Sequence, residues 1–448
     1  MIFSSTSFLL LFLPLSLASY FITPQKYRAY TLCLISILFY LFNDPTLFWG
    51  LCLLILITYG CMKVRSDKTH FIVSISFLLF IMAYFKYYGW LLETLQIGDP
   101  QLIFSPLGYS FIIFSMLSCV IDAYRHPNLK LNFFTYFNYI LFFPKIFMGP
   151  LMRYEDFQSQ WNTHPTTIEQ LYQGSILLVK GCFMKAVFAN TFAHVFSLCD
   201  AQSSMLAAWL CLLAYGLQLY FDFNGYTCMA QGIALFFGFK LPENFKHPYV
   251  ATSIQNFWTR WHISLSTWFK DYVYIPLGGN RHGRNKTIRN LLIVWGLTGI
   301  WHGNSLPYLL WGLYHASLLL LERYWLQDIL AKIPLFLRRL STFILVLIGW
   351  IAFFQPTMHD CLAFIQQLFH FSHLYDSSTL SLCTQYGIIL FIGLLFVTYL
   401  PANISRWLHQ QCGDAFIWIE SAVSISMWII IFAYLIADSY QAFLYFQF

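Results

Sequence analysis

Charge is what this chain has least of. Only 10% of its 448 residues are Asp, Glu, Lys or Arg, while 58% are hydrophobic. A soluble domain carries about a quarter charged residues. That scarcity excludes a soluble globular fold, because so much apolar surface needs lipid as its solvent. Flexible or charged linkers are missing too, so the expectation is one polytopic domain over residues 1–448. The 25 basic residues barely exceed the 19 acidic ones. In a lipid-dissolved chain such an excess reports topology and not nucleic-acid binding. The 11 cysteines include no CxxC pair. They sit mostly in apolar runs and read as packing residues, with neither a disulfide framework nor a bound metal expected. Basic residues are also absent ahead of the first apolar run, since Lys26 is the first. A signal peptide has the opposite order, so this run is expected to be the first span.

What is there is helix-length grease. Apolar runs fall at about 3–22, 28–42, 45–62, 70–92, 104–123, 133–150, 168–198, 204–221 and 225–240, then 288–302, 305–321, 340–355, 385–401 and 416–437. A crossing needs about 20 apolar residues, and several runs are shorter or broken by proline. The expected fold is therefore all-α, with about 11–13 transmembrane helices plus re-entrant or interfacial ones. Lys26, Arg28, Lys63, Arg65, Lys68, Arg125 and Lys130 alternate with the spans in a way that puts them on the cytoplasmic side. Arg338 and Arg339 before the 340–355 run, and Arg406 after 385–401, fit the same side. Both termini and the loop 356–384, which has no Lys or Arg, then lie outside.

Three stretches do not read as plain spans. Residues 133–165 contain Pro144, Lys145 and Pro150. They suggest either a broken helix lining a cavity or an interfacial helix followed by a loop. Residues 218–249 place Asp222, Asn224 and Gly225 where two apolar runs join, and a carboxylate there needs a partner. The stretch 255–302 is the most unusual. His262 and His302 are each preceded by a tryptophan, Trp261 and Trp301, and the densest basic loop in the chain lies between them.

Trp258, Arg260, Trp261, His262 and their neighbours mix aromatic, charged and hydroxyl residues, which fits a re-entrant or amphipathic helix at the cytoplasmic face. The loop that follows carries Gly278, Gly279, Arg281, His282, Arg284, Lys286 and Arg289. Such a loop suits an anionic ligand such as a nucleotide phosphate, or equally lipid headgroups. His302 lies deep in apolar sequence between Gly299 and Gly303. An ionisable residue there marks either a functional site or a histidine hydrogen-bonded across helices. An imidazole can take a proton from a hydroxyl near neutral pH. His315 reads as structural, and His359, His370 and His373 lack an acidic pattern that would make them metal ligands.

The run FDFNGYTCMAQGIALFFGFKLPENFKHPY, then FWTRWHISLSTWFKDYVYIPLGGNR, then GIWHG resembles the membrane-bound O-acyltransferase family. The similarity is closest to the branch of alginate and peptidoglycan O-acetyltransferase membrane subunits, with teichoic acid D-alanyl transfer more distant. It is strongest over about 143–322. The resemblance implies a helical bundle around a central tunnel, with N-terminal helices over 1–125, a catalytic core over 133–322 and C-terminal helices over 336–448. It places the family's catalytic histidine on His302 and its second histidine on His262. Trp258, Arg260, Trp261, Asp222, Asn224 and Trp301 would line or support the tunnel. The implied donor is cytoplasmic acetyl-CoA, a substrate and not a bound cofactor, with Arg281, Arg284 and Lys286 near its phosphates. The chain ends FLYFQF. This resembles an F-x-Y-x-x-F motif associated with D-alanylation and related transferases, and it makes Tyr445 a candidate acyl acceptor at the outer face of a bacterial inner membrane. A periplasmic SGNH-type O-acetyltransferase would then receive the group. Delivery of D-alanine or another acyl group by an acyl-carrier protein, and transport along Asp222, remain alternatives. The sequence does not choose the final polysaccharide.

Overall fold

The computed structural model describes residues 2–64, 67–97, 106, 108–161 and 166–437. Among the described residues there are helices and no strands. Among the described residues six helices are long and apolar enough to cross a membrane: Lys68–Leu95, Ile168–Asp200, Met205–Phe236, Leu335–Phe354, Ser377–Phe396 and Leu400–Ala437. Shorter apolar helices include Phe8–Ile22 and Phe48–Lys63. Helices predominate because lipid leaves each backbone N–H and C=O no partner outside its own segment. The chain clusters into two units, Met1–Leu178 with Tyr226–Pro242, and Val179–Gly225 with Glu243–Phe448.

In the first unit the prolines of 133–150 have their expected effect. The helix Phe133–Leu141 stops, and the following segment through Pro150 is irregular yet buried. Its polar groups are satisfied partly by backbone turns, with the Lys145 and Gly149 amides donating to Phe142 O and Lys145 O at 3.0 and 3.1 Å, and partly by side chains. Tyr139 Oη donates to Met152 O at 2.5 Å, and the Met148 amide donates to Tyr226 Oη at 3.4 Å. The Lys145 ammonium lies 4.1 Å from the centre of the Tyr139 ring. The segment is broken and buried, unlike an interfacial helix followed by a loop, because irregular backbone at such depth persists only inside protein.

The join at Asp222 is not a break. Residues 204–221 and 225–240 were expected as two runs, but Met205–Phe236 is one continuous helix. Asp222 is satisfied sideways, accepting from Lys185 Nζ at 2.7 Å, with both side chains buried. Lys185 sits on a π-turn, Met184–Ala189, inside Ile168–Asp200. Such turns add a residue to the helix and re-aim its side chains. Gly225 allows the close approach, since a Cβ there would meet Gly181 O at 3.0 Å. Arg338 and Arg339 lie within the helix Leu335–Phe354, which starts just after Pro334, and not ahead of it. The stretch 356–384 also contains a helix, Met358–Leu368, whose Asp360 amide is capped by the Thr357 hydroxyl.

Candidate active site

His302 is the last residue of the helix Arg284–His302. The next helix, Leu306–Leu321, returns against it at close range. Glycine makes that possible. A Cβ on Gly312 would sit 2.2 Å from Trp295 O, and one on Gly299 would sit 2.4 Å from Tyr308 O. Any side chain at either position would force the pair apart. Gly303 serves the same purpose beyond the helix end, where a Cβ would strike the Tyr308 ring at 2.2 Å. The imidazole of His302 is thereby buried among Trp301, Trp311 and Phe353, with ring centroids at 4.6, 4.9 and 5.0 Å.

His262 is held differently. It lies between two short helices, Ile254–Trp258 and Ile263–Phe269, with φ 45° and ψ 53°. Few residues other than glycine adopt this left-handed backbone, and it persists where the surroundings over-determine it. Here the determinant is the segment 244–246. The Lys246 amide donates to Arg260 O at 2.9 Å, and the Ile263 amide donates to Asn244 O at 3.0 Å. The buried Asn244 side chain then accepts from the Ser264 amide at 3.1 Å and from the Ser264 hydroxyl at 2.6 Å. Arg260 closes the turn from the other side. Its guanidinium donates to Asn256 Oδ1, to Lys246 O and to Tyr399 Oη at 3.0, 3.1 and 2.6 Å. The preceding helix is capped by Glu322, whose carboxylate accepts from the Ile254 and Gln255 amides at 2.6 and 3.0 Å. Burial raises the pKa of Glu322, and these two N–H groups and Arg338 oppose the rise. The His262 ring ends up edge-on to Phe223, centroids 4.7 Å apart.

The two imidazoles come from backbones 40 positions apart in sequence and line the same cavity, of about 310 Å³. Trp258, Trp261, Trp311 and Phe353 form much of its apolar wall. The histidines are buried, at 2% and 6% exposed. Two exposed cations, Lys270 and Arg323, line it as well. Sequence reasoning passed over both, because Lys270 follows the WHIS segment without a motif of its own and Arg323 lies 53 positions further on.

The other expected residues divide. Arg281, Arg284 and Lys286 are exposed on the loop and at the start of the following helix, and the cavity wall does not include them. Arg284 lies over the rings of Tyr324 and Trp325 at 4.5 and 4.8 Å. The Gly278–Gly279 turn is pinned from within by the buried Asn290, whose amide donates to Leu277 O and Gly279 O at 3.1 and 2.8 Å. Trp301 packs on His302 outside the wall, and Arg260 braces the His262 turn. Asp222 pairs with Lys185, and Asn224 donates to Tyr220 Oη at 3.1 Å. His315, expected to be structural, accepts at Nδ1 from Trp258 Nε1 at 3.3 Å. Tyr445 and the whole FLYFQF tail lie outside the described residues.

A lipid-dissolved helical protein with two histidines converging on one apolar cavity belongs to the class of integral membrane enzymes. The profile of the membrane-bound O-acyltransferase family matches residues 19–356, and the chain belongs to that family. It is a membrane O-acyltransferase. It is 33% identical, over the full length of both chains, to a Pseudomonas putida protein named probable alginate O-acetylase. It is 27% identical to the peptidoglycan O-acetyltransferase of Helicobacter pylori, over 100% of this chain and 98% of that one. It is 33% identical to the teichoic acid D-alanyltransferase of Bacillus subtilis, over 49% of this chain and 59% of that one.

Proposed function

We propose that this enzyme takes acetyl from acetyl-CoA at the cytoplasmic face of a bacterial inner membrane and passes it outward to Tyr445. A periplasmic SGNH-type transferase then moves it to an envelope polysaccharide such as alginate or peptidoglycan. The observation that carries the reading is the cavity whose wall holds two buried imidazoles and two exposed cations. A donor with an anionic nucleotide and a small acyl thioester matches that polarity. Lys270 and Arg323 hold the phosphates, and the thioester reaches the histidines.

In the transfer, the Tyr445 oxygen attacks the thioester carbonyl while His302 takes the phenol proton. A free phenol ionises near pH 10, so it needs such a base at neutral pH. His262 donates a hydrogen bond to the carbonyl oxygen as negative charge develops there. Collapse breaks the C–S bond, and the proton on His302 passes to the departing thiolate. The products are CoA thiol and an acetyl ester on Tyr445. A relay is physically sensible, because neither CoA nor a polysaccharide crosses a bilayer, whereas an acetyl group carries no charge.

The test is peptide mass spectrometry after incubation with acetyl-CoA. A 445-containing peptide carrying one acetyl group, lost in His302→Ala and in Tyr445→Phe, is the expected result. Turnover of acetyl-CoA with no adduct, and with polymer acetylation retained in Tyr445→Phe, would remove Tyr445 from the path. The match to a D-alanyltransferase favours one second reading, in which an acyl-carrier protein delivers the group. Transfer from a carrier thioester together with inertness toward acetyl-CoA would select it.

A further inference from the structure

The helix Leu306–Leu321 holds more than His302. Its His315 is 0% exposed and lies outside the cavity wall, yet it touches three tryptophans that belong to that wall. Ring centroids are 5.0 Å to Trp258, 5.5 Å to Trp295 and 5.1 Å to Trp311. One of these contacts is polar, the hydrogen bond from Trp258 Nε1 to His315 Nδ1 at 3.3 Å. An indole N–H only donates, so Nδ1 is the acceptor, the imidazole is neutral and its proton is on Nε2. That Nε2 has no partner among the described residues. It faces Gly349 of the helix Leu335–Phe354, where a Cβ would come within 2.9 Å of it. A leucine in place of His315 would pack without an unpaired polar atom. What the imidazole has and leucine lacks is an acceptor for Trp258.

Trp258 ends the five-residue helix Ile254–Trp258. The other end of that helix is the one capped by Glu322. His315 and Glu322 are seven positions apart, two turns of a helix that continues into the π-turn Glu322–Leu326. One helix therefore grips the short helix at both ends. Five residues make too few backbone hydrogen bonds to hold a helix by themselves. The short helix leads, four positions on, to the left-handed turn of His262. The gripping helix also packs through Gly312 against the helix that ends at His302. It is the common frame of both imidazoles.

We propose that His315 is a positioning residue for acyl transfer. By anchoring the Trp258 indole it fixes the helix that leads into His262, and so sets that imidazole against His302. The assignment rests on the role given above to His262 at the developing oxyanion. Its loss falls on kcat and not on KM, because alignment of that hydrogen bond counts most in the transition state.

The test separates hydrogen bonding from packing. In His315→Leu the apolar volume stays and the acceptor goes. In His315→Asn an amide oxygen takes the place of Nδ1. In Trp258→Phe a ring stays and the donor goes. O-acylation of envelope polysaccharide would be measured in cells at matched protein levels, where the cell supplies the donor whatever it is, and kcat and KM for acetyl-CoA on isolated membranes. His315→Leu and Trp258→Phe should each lower kcat about tenfold, the worth of one hydrogen bond, with KM within about twofold of wild type. The double variant should fall no further than either single one. His315→Asn should recover to within about threefold of wild type. Packing alone predicts the reverse order, since asparagine fills an apolar site less well than leucine. Thermal unfolding of His315→Leu at the wild-type temperature verifies its fold, and Trp258→Phe reads the same bond from its other end. With His262→Ala slow, wild-type rates in His315→Leu and Trp258→Phe, or a His315→Asn enzyme no faster than His315→Leu, would overturn the proposal by itself. A His262→Ala enzyme at the wild-type rate would end the role given to His262, and this assignment with it.

Discussion

The dipeptide Trp-His occurs twice in the chain, each copy sends its histidine into one cavity wall, and the two copies are built by opposite means. His302 ends a 19-residue helix, and its position follows from helix geometry and from glycines that let a neighbouring helix close in. His262 sits in a left-handed turn between helices of five and seven residues, and its position follows from hydrogen bonds to a distant segment. One imidazole is placed by packing, the other by a polar clamp. Packing of helices fixes a side chain with little help from specific partners. A strained turn is only as fixed as the groups that hold it.

That contrast can be broken at either end. The largest effect is expected for His302→Ala, which should lower the acyl-transfer rate about 10²- to 10⁴-fold, the usual worth of a positioned base. A steady-state assay showing less than a tenfold loss would end its role as the base. His262→Ala and His262→Gly separate side chain from backbone. Both should lose about 10²- to 10³-fold in rate if the imidazole stabilises the oxyanion. The glycine variant should nevertheless be the more stable in thermal unfolding, because glycine adopts φ 45° freely. Equal stability of the two would show that the turn is not strained.

Two smaller effects sharpen the comparison. Lys270→Ala and Arg323→Ala should each raise KM for acetyl-CoA about tenfold with little change in kcat, since each removes one charge-assisted contact. The same substitution at Arg281 or Lys286 should change KM by less than about twofold, because their charges are exposed and screened. If the loop variants prove the more sensitive, the donor lies along the glycine loop instead. Asn244→Ala should destabilise the protein by about 1–3 kcal/mol and lower the rate, although Asn244 is not part of the cavity wall. A stable Asn244→Ala with normal rate would mean that the His262 turn holds itself.

The site was unevenly legible. His302 could be picked out by residue type, since an ionisable group in lipid-dissolved sequence is costly and therefore conspicuous, whereas His262, Trp258 and Trp261 were singled out through the family resemblance. The need of Asp222 for a partner was legible for the same reason, but the identity of that partner was not. Lys185 looks like any lysine among apolar residues until a π-turn aims it at the carboxylate. The basic loop showed the converse. Its charges stand together in sequence, yet the cations in the cavity wall are Lys270 and Arg323, brought together from different elements.

By itself the sequence determined the solvent, the helical class, the family resemblance and the chemistry on offer. Those follow from composition and local pattern, which need no folding to be read. The tertiary structure alone decided that Met205–Phe236 runs unbroken through Asp222, that Asn244 clamps a turn 18 positions away, and that two histidines share a wall with Lys270 and Arg323. Each of those depends on contacts between segments far apart in the chain. Such contacts are fixed by close packing and by mutual satisfaction of buried polar groups, and no stretch of sequence carries either alone.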